Sequence, residues 1–228
     1  MIFRDRSHAG RELADRLLPY KDQKPVVLAL PRGGVPVGLE IARSLSAPLD
    51  IVLVRKIGAP WQPELAVAAV ADGDHPEVVL NEDVLALIEV PAGYIESETR
   101  NQLAEIERRR QVYLAGRARV PIAGNTAIVV DDGIATGATT RAAIRAVRNS
   151  RPARLVLAVP VAPADTVEAL RPLVDDLVCL TAPSSMGAIS FFYHRFPQLT
   201  DDEVIDMLKH APANAPPTPP EPTPTVSK

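Results

Sequence analysis

Two neighbouring carboxylates, Asp131 and Asp132, end the apolar run Ile128 to Val130 and lead into Gly133, Ala135, Thr136, Gly137, Ala138, Thr139 and Thr140. Small residues let a loop close its backbone around a phosphate, and successive N–H groups plus the positive end of a helix complement the anion. Threonine hydroxyls add donors. Paired carboxylates suit a polyol or a cation, and a ribose offers two vicinal hydroxyls at about that reach. The simpler alternative is a βα turn in which Asp132 caps the helix and Gly133 supplies a positive φ, but a cap needs one acid rather than two. No lysine follows Gly137, so the GxxxxGK[ST] loop of a nucleoside triphosphatase is not formed here.

A second cradle lies in Leu28 to Ala42, LALPRGGVPVGLEIA, where Arg32, Gly33 and Gly34 follow another apolar run and Pro36 sits where a helix begins. Alone, it reads equally as a Gly-Gly turn. A third segment, VRKIGAPWQPE from Val54 to Glu64, opens with Arg55 and Lys56. Gly58, Pro60 and Pro63 mark residues 55–64 as a flexible loop able to act as a lid, or as the carrier of a solvated basic pair.

The elements that must position these groups alternate. Pro25 to Leu30, Asp50 to Val54, Thr126 to Val130, Arg154 to Val159 and Asp176 to Leu180 are apolar on both faces, as buried parallel strands are. Between them, Gly38 to Ser44, Ala138 to Asn149 and Asp165 to Leu170 are patterned as helices. Ser7 to Leu18 reads as a helix capped by Ser7, and Asp201 to Lys209 as a terminal helix. The pattern predicts a doubly wound, mostly parallel α/β sheet. Glu64 to Leu80 reads as an inserted antiparallel hairpin around ADGDHP. Residues 92–114 form a helical insertion whose long helix, Ser97 to Leu114, carries Arg108, Arg109 and Arg110 on a solvated face.

The chain has 228 residues, 46% hydrophobic and 23% charged, with a formal net charge of -3. That suffices for one sizeable core and gives no basic field for nucleic acid or an anionic membrane. Cys179 is the lone cysteine, and no run approaches the ~20 apolar residues of a membrane span, so a cytoplasmic location is expected. Residues 1–210 are expected to form a single domain, and 211–228, APANAPPTPPEPTPTVSK, to stay outside the fold as a proline-rich tail.

IVVDDGIATGATT resembles the 5-phosphoribosyl 1-diphosphate (PRPP) motif of type I phosphoribosyltransferases, and the order of elements from about Pro25 to Leu180 agrees with that family. The resemblance implies that Asp131 and Asp132 hold the ribose hydroxyls and that Ala135 to Thr139 hold the 5-phosphate. Arg32, Gly33 and Gly34 would form the diphosphate loop, with a non-proline cis peptide at Pro31–Arg32. Arg55 and Lys56 would lie on the lid, and residues 1–24 and 181–210 would form a hood. Magnesium (Mg2+) is the implied cofactor, held mainly by PRPP and water near Asp131 and Asp132 rather than by a dedicated protein cage.

The acceptor is not written in the pattern. Where relatives acting on 6-oxopurines carry an acid in the PRPP loop, this chain has Ala135, which disfavours hypoxanthine and guanine and leaves adenine open. Phe191, Phe192, Tyr193 and His194 are candidates to stack on or deprotonate a planar acceptor, or Phe191 and Phe192 pack against the terminal helix. A non-catalytic PRPP sensor is the alternative function, and no DNA-binding segment accompanies it. A homodimer, formed through the hairpin and long helix, is expected. Asp132→Asn is expected to weaken donor binding without unfolding the chain.

Overall fold

Five apolar runs pair side by side because buried backbone must satisfy its hydrogen bonds and these runs offer no polar face to water. The computed structural model describes residues 2–73, 76–115 and 117–212; the tip of the ADGDHP turn and the proline-rich tail beyond Pro212 lie outside the described residues. In chain order the elements are α1 (Arg6–Leu17), β1 (Pro25–Ala29), α2 (Gly34–Leu45), β2 (Leu49–Ile51), β3 (Val54–Ala59), β4 (Gln62–Ala71), β5 (Glu77–Leu80) and α3 (Glu82–Leu85). They continue with α4 (Tyr94–Leu114), β6 (Thr126–Val130), α5 (Ala138–Asn149), β7 (Arg154–Val161), α6 (Ala164–Leu170), β8 (Asp176–Thr181), a 3-10 turn (Ile189–Phe192) and α7 (Asp201–Lys209).

Among the described residues, β2-β1-β6-β7-β8 form one parallel sheet. Alternate strand residues feed two cores. Val27, Ala29, Ile128 and Val130 pack with Leu13 and Leu17 of α1, Ile41 of α2, Ile106 of α4 and Leu208 of α7. Val26, Leu28, Ala127 and Val129 pack on the other face with Ile144 and Val147 of α5 and Leu170 of α6. The chain leaves β1 towards β2 on one side, and β6 pairs on its other side, so the strand order reverses between β1 and β6. Loops at the carboxyl ends of those two strands flank the resulting crevice.

A second, antiparallel sheet, β3-β4-β5, stands beside the first. The predicted hairpin is therefore one strand larger. Residues 55–64, read as a loop, lie instead largely in β3 and the start of β4, joined at Pro60 and the exposed Trp61. Ala69 and Ala71 of β4 meet Ala142 and Ala146 of α5, and their small side chains let the ribbon approach that helix closely.

Two further readings change. The cap of α1 is Asp5, which accepts a 2.9 Å hydrogen bond from the His8 amide, and not Ser7, which lies inside the helix. Arg110 does not lie on a solvated face. It is buried, paired with both oxygens of Asp50 at 2.8 and 2.9 Å and with Asp72 at 2.8 Å, and it also donates to the Ile51 carbonyl. Asp50 additionally accepts from the Val120 amide, and Asp72 from the Leu53 amide. The cluster fixes α4 to the carboxyl ends of β2 and β4.

Candidate active site

The loop after β6 is built from main chain. Ile134 donates to the Val161 carbonyl, tying the loop to the end of β7, and Thr166 of α6 donates to the Ala135 carbonyl at 3.1 Å. Gly137 is the N-cap of α5 with φ +77°, a left-handed conformation that costs glycine nothing and leaves the first-turn amides of the helix without a side-chain cap. Ala135, Thr136 and Ala138 are exposed and Thr139 half-buried, so this turn opens outward. Thr140 is buried. Asp132 caps no helix, and the positive φ lies at Gly137 rather than Gly133.

The loop after β1 closes against the same carboxylates. Leu30 donates to the Val130 carbonyl, Pro31–Arg32 is a cis peptide as expected, and α2 begins at Gly34. Gly33 lies so near Asp132 that any Cβ there would collide with its carboxylate. A Cβ on Gly34 would come to 2.6 Å from the Val130 carbonyl oxygen. Glycine at both positions is what lets the two loops meet.

Asp131 accepts the Asp132 amide at 2.8 Å. Arg6 of α1 donates from Nε to Asp132 Oδ2 at 2.6 Å, while its guanidinium also bonds the Pro197 carbonyl and lies 3.7 Å over the Phe196 ring. Burial, then the charge of Asp132, raises the Asp131 carboxyl above the usual range. Burial also raises Asp132, against the pull of Arg6.

The hood does not use its aromatic residues as expected. Tyr193 is buried between Phe3 and Phe196, and its hydroxyl donates to the Asp132 carbonyl at 2.6 Å; it offers no face to an acceptor. Burial raises its phenol. Phe192 packs with Phe3 and Tyr193, not with α7, and Phe191 is 73% exposed. His194 is exposed, with its amide bonded to the Phe3 carbonyl. The residue that reaches the loop is Ile189, whose side chain lies over Gly133.

On the other side of the β1 loop opens a cleft of about 390 Å³, lined by Arg32, Arg55, Ile106, Arg109, Tyr113 and Asp201 among others. Arg55 faces it and donates to Gln102 at 2.9 Å. Lys56 does not line it: alternation along β3 places it, with its partner Ala69, on the other face of the ribbon. Tyr113 donates to Asp201 Oδ1 at 2.6 Å, and burial together with that bond pushes its phenol up to about 12. Arg6, Ile189 and Tyr113 went unread in the sequence, Arg109 was read only as part of a solvated basic run and Asp201 only as the start of a terminal helix, because each is remote along the chain from these loops.

A parallel sheet with small-residue loops on both sides of its switch point, and a carboxylate pair between them, defines an α/β protein whose candidate site lies at that crevice. The chain belongs to the phosphoribosyl transferase domain family, whose profile matches residues 5–193. The parallel sheet, its flanking helices and the small antiparallel sheet make up that domain. Two Mycobacterium tuberculosis proteins, from strains CDC 1551 and H37Rv and provisionally named phosphoribosyl transferases, are 45% identical to it over 210 residues, 92% of this chain and 47% of each relative. The chain thus spans about half the length of the curated relatives it matches. The crystal structure of TT1426 from Thermus thermophilus matches with a TM-score of 0.78 and 42% identity, over 91% of this chain and 98% of that one. No described helix is long and apolar enough to cross a membrane.

Proposed function

We propose that this chain transfers the 5-phosphoribosyl group of PRPP to a small, planar aromatic acceptor and releases diphosphate. The observation that carries the reading is the meeting of the two loops at Asp132, with Gly33 of one lying directly against the carboxylate of the other. A 5-phosphate held by the amides of 135–139 would then leave the ribose hydroxyls at Asp131 and Asp132 and the diphosphate at Arg32 to Gly34.

The C1–O bond to diphosphate breaks and its electron pair leaves with the diphosphate oxygen, while an acceptor nitrogen supplies the pair for the new bond at C1 and loses its proton to solvent or a base. Positive charge grows on the ribose beside Asp131 and Asp132, and negative charge on diphosphate beside Arg32 and Arg55. Fixed groups of the right sign at both ends are the means of catalysis. Among the described residues no three His, Cys, Asp or Glu side chains gather to hold a metal. The Asp131–Asp132 pair fits an ion whose other ligands are substrate oxygens and water. A bound magnesium ion would supply neutralisation of the diphosphate charge, and Asp131 and Asp132 are the residues that would help hold it.

The acceptor would enter between the Ile189–Phe192 turn and the exposed Ala135, whose own side chain cannot serve as base. The test is calorimetric titration with PRPP and magnesium, followed by a screen of purine and pyrimidine acceptors for diphosphate release. Saturable binding with release for one acceptor is expected; binding without release for any acceptor would indicate a sensor, and no binding would refute the reading. A homodimer that covers the exposed Trp61, Leu80 and Leu87 belongs to the same proposal, and sedimentation at equilibrium checks it.

A further inference from the structure

The cleft beside the β1 loop holds more positive charge than the loops alone supply. Arg32 comes from that loop, Arg55 from β3 and Arg109 from α4, so three separate elements aim guanidinium groups at one space. Arg55 and Arg109 use Nε on Gln102 and Glu105, and their Nη groups have no hydrogen-bond partner among the described residues. The acid lining the same space is Asp201, at the first residue of α7. Its Oδ1 accepts from Tyr113 and stands 3.7 Å from Arg32 Nη1. A carboxylate oxygen so placed occupies the position that an anionic oxygen of a ligand would take on Arg32.

We propose that α4 and α7 complete the leaving-group side of the site: Arg109 is a third guanidinium for diphosphate, and Asp201 is an internal carboxylate that holds Arg32 until diphosphate displaces it. This rests on the function proposed above and adds to it a contribution from the helical insertion. Guanidinium forks match phosphate oxygens in shape as well as charge. Glu105 takes part of the charge of Arg109 and shares itself with Arg108, which does not line the cleft. With the diphosphate bound, Tyr113 can keep its bond to Asp201 while Arg32 turns to the ligand.

The experiment titrates the full chain with inorganic diphosphate and magnesium and, separately, with ribose 5-phosphate. Arg109→Gln is expected to weaken diphosphate about tenfold, the scale of one charge-assisted hydrogen bond, and to leave ribose 5-phosphate unchanged. Asp201→Asn is expected to tighten diphosphate ~3-fold by freeing Arg32 from an exposed ion pair. Arg100→Gln makes the same charge change on the same helix, outside the cleft lining, and is expected to alter neither ligand. Unchanged diphosphate affinity in Arg109→Gln, or an equal loss in Arg100→Gln, overturns the proposal while ribose 5-phosphate binding leaves the donor-site reading intact. Failure of the unaltered chain to bind ribose 5-phosphate, with diphosphate still bound, refutes that reading and with it the identity of the anion as a leaving group.

Discussion

Asp132 is held from three directions: Arg6 grips its carboxylate, the Tyr193 hydroxyl its carbonyl, and Gly33 lies against its side chain. Neutralising it leaves a largely buried guanidinium short of a partner, so Asp132→Asn should cost about 2 kcal/mol as well as weaken the donor, read from the urea midpoint of unfolding. That the carboxylate proposed to hold the ribose is also a structural anchor could not be inferred from IVVDDGIATGATT, because Arg6 is 126 residues away. Among the described residues Asp131, unlike Asp132, has no guanidinium bonded to its carboxylate. Its carboxyl is raised in the folded chain by burial and by Asp132, with Arg6 as the opposing cation. The folded state therefore holds this proton more tightly than the unfolded one, and the resulting stability is present at low pH and lost as pH rises through the folded value. Asp131→Asn mimics the protonated form and keeps the oxygen that accepts the Asp132 amide. In metal-free buffer it should melt higher than the unaltered chain at pH 7 to 8, with the gain shrinking towards pH 4. A gain that does not depend on pH would contradict this account.

At the scale of elements, the apolar runs and the helix beginning at Ala138 were legible because a buried parallel strand leaves a run of apolar residues that little else produces. The edges were not. Residues 55–64 have loop composition, yet β4 runs alongside and supplies the hydrogen bonds that make a strand of Val54–Ala59. Arg108, Arg109 and Arg110 look alike in sequence and meet three fates on α4, since a turn of 100° per residue sends one to Glu105 alone, one to the cleft and one into the interior. Arg110 offsets two buried carboxylates at once. Arg110→Met should destabilise the chain by about 4 kcal/mol, measured by chemical denaturation, because Asp50 and Asp72 then lose their shared cation. A cost below about 1 kcal/mol would mean that Arg119, 3.3 Å from Asp72, takes its place.

For the whole molecule, the candidate site is assembled from segments spread from Arg6 to Asp201, and a ligand that touches the loops after β1 and β6 touches both sides of the switch point. Ribose 5-phosphate at a hundred times its dissociation constant should stabilise the fold by about 2.7 kcal/mol. For a chain of this size that is a rise of roughly 5–10 °C in melting temperature, which thermal scanning will check. The acceptor contacts, by contrast, were the least legible part. Phe191, Phe192, Tyr193 and His194 read as a row of ring-bearing candidates, yet the hood uses Phe192 and Tyr193 to close on Phe3.

Trp61, at the turn between β3 and β4, is the chain's only tryptophan and is 60% exposed. Its emission is therefore a single-site optical signal from the strand pair that carries Arg55. Light absorbed at the red edge of the protein spectrum reports the surroundings of one indole with no label attached. Iodide, which quenches only what it can collide with, would measure directly how far that turn is covered when a nucleotide precursor or a second copy of the chain arrives.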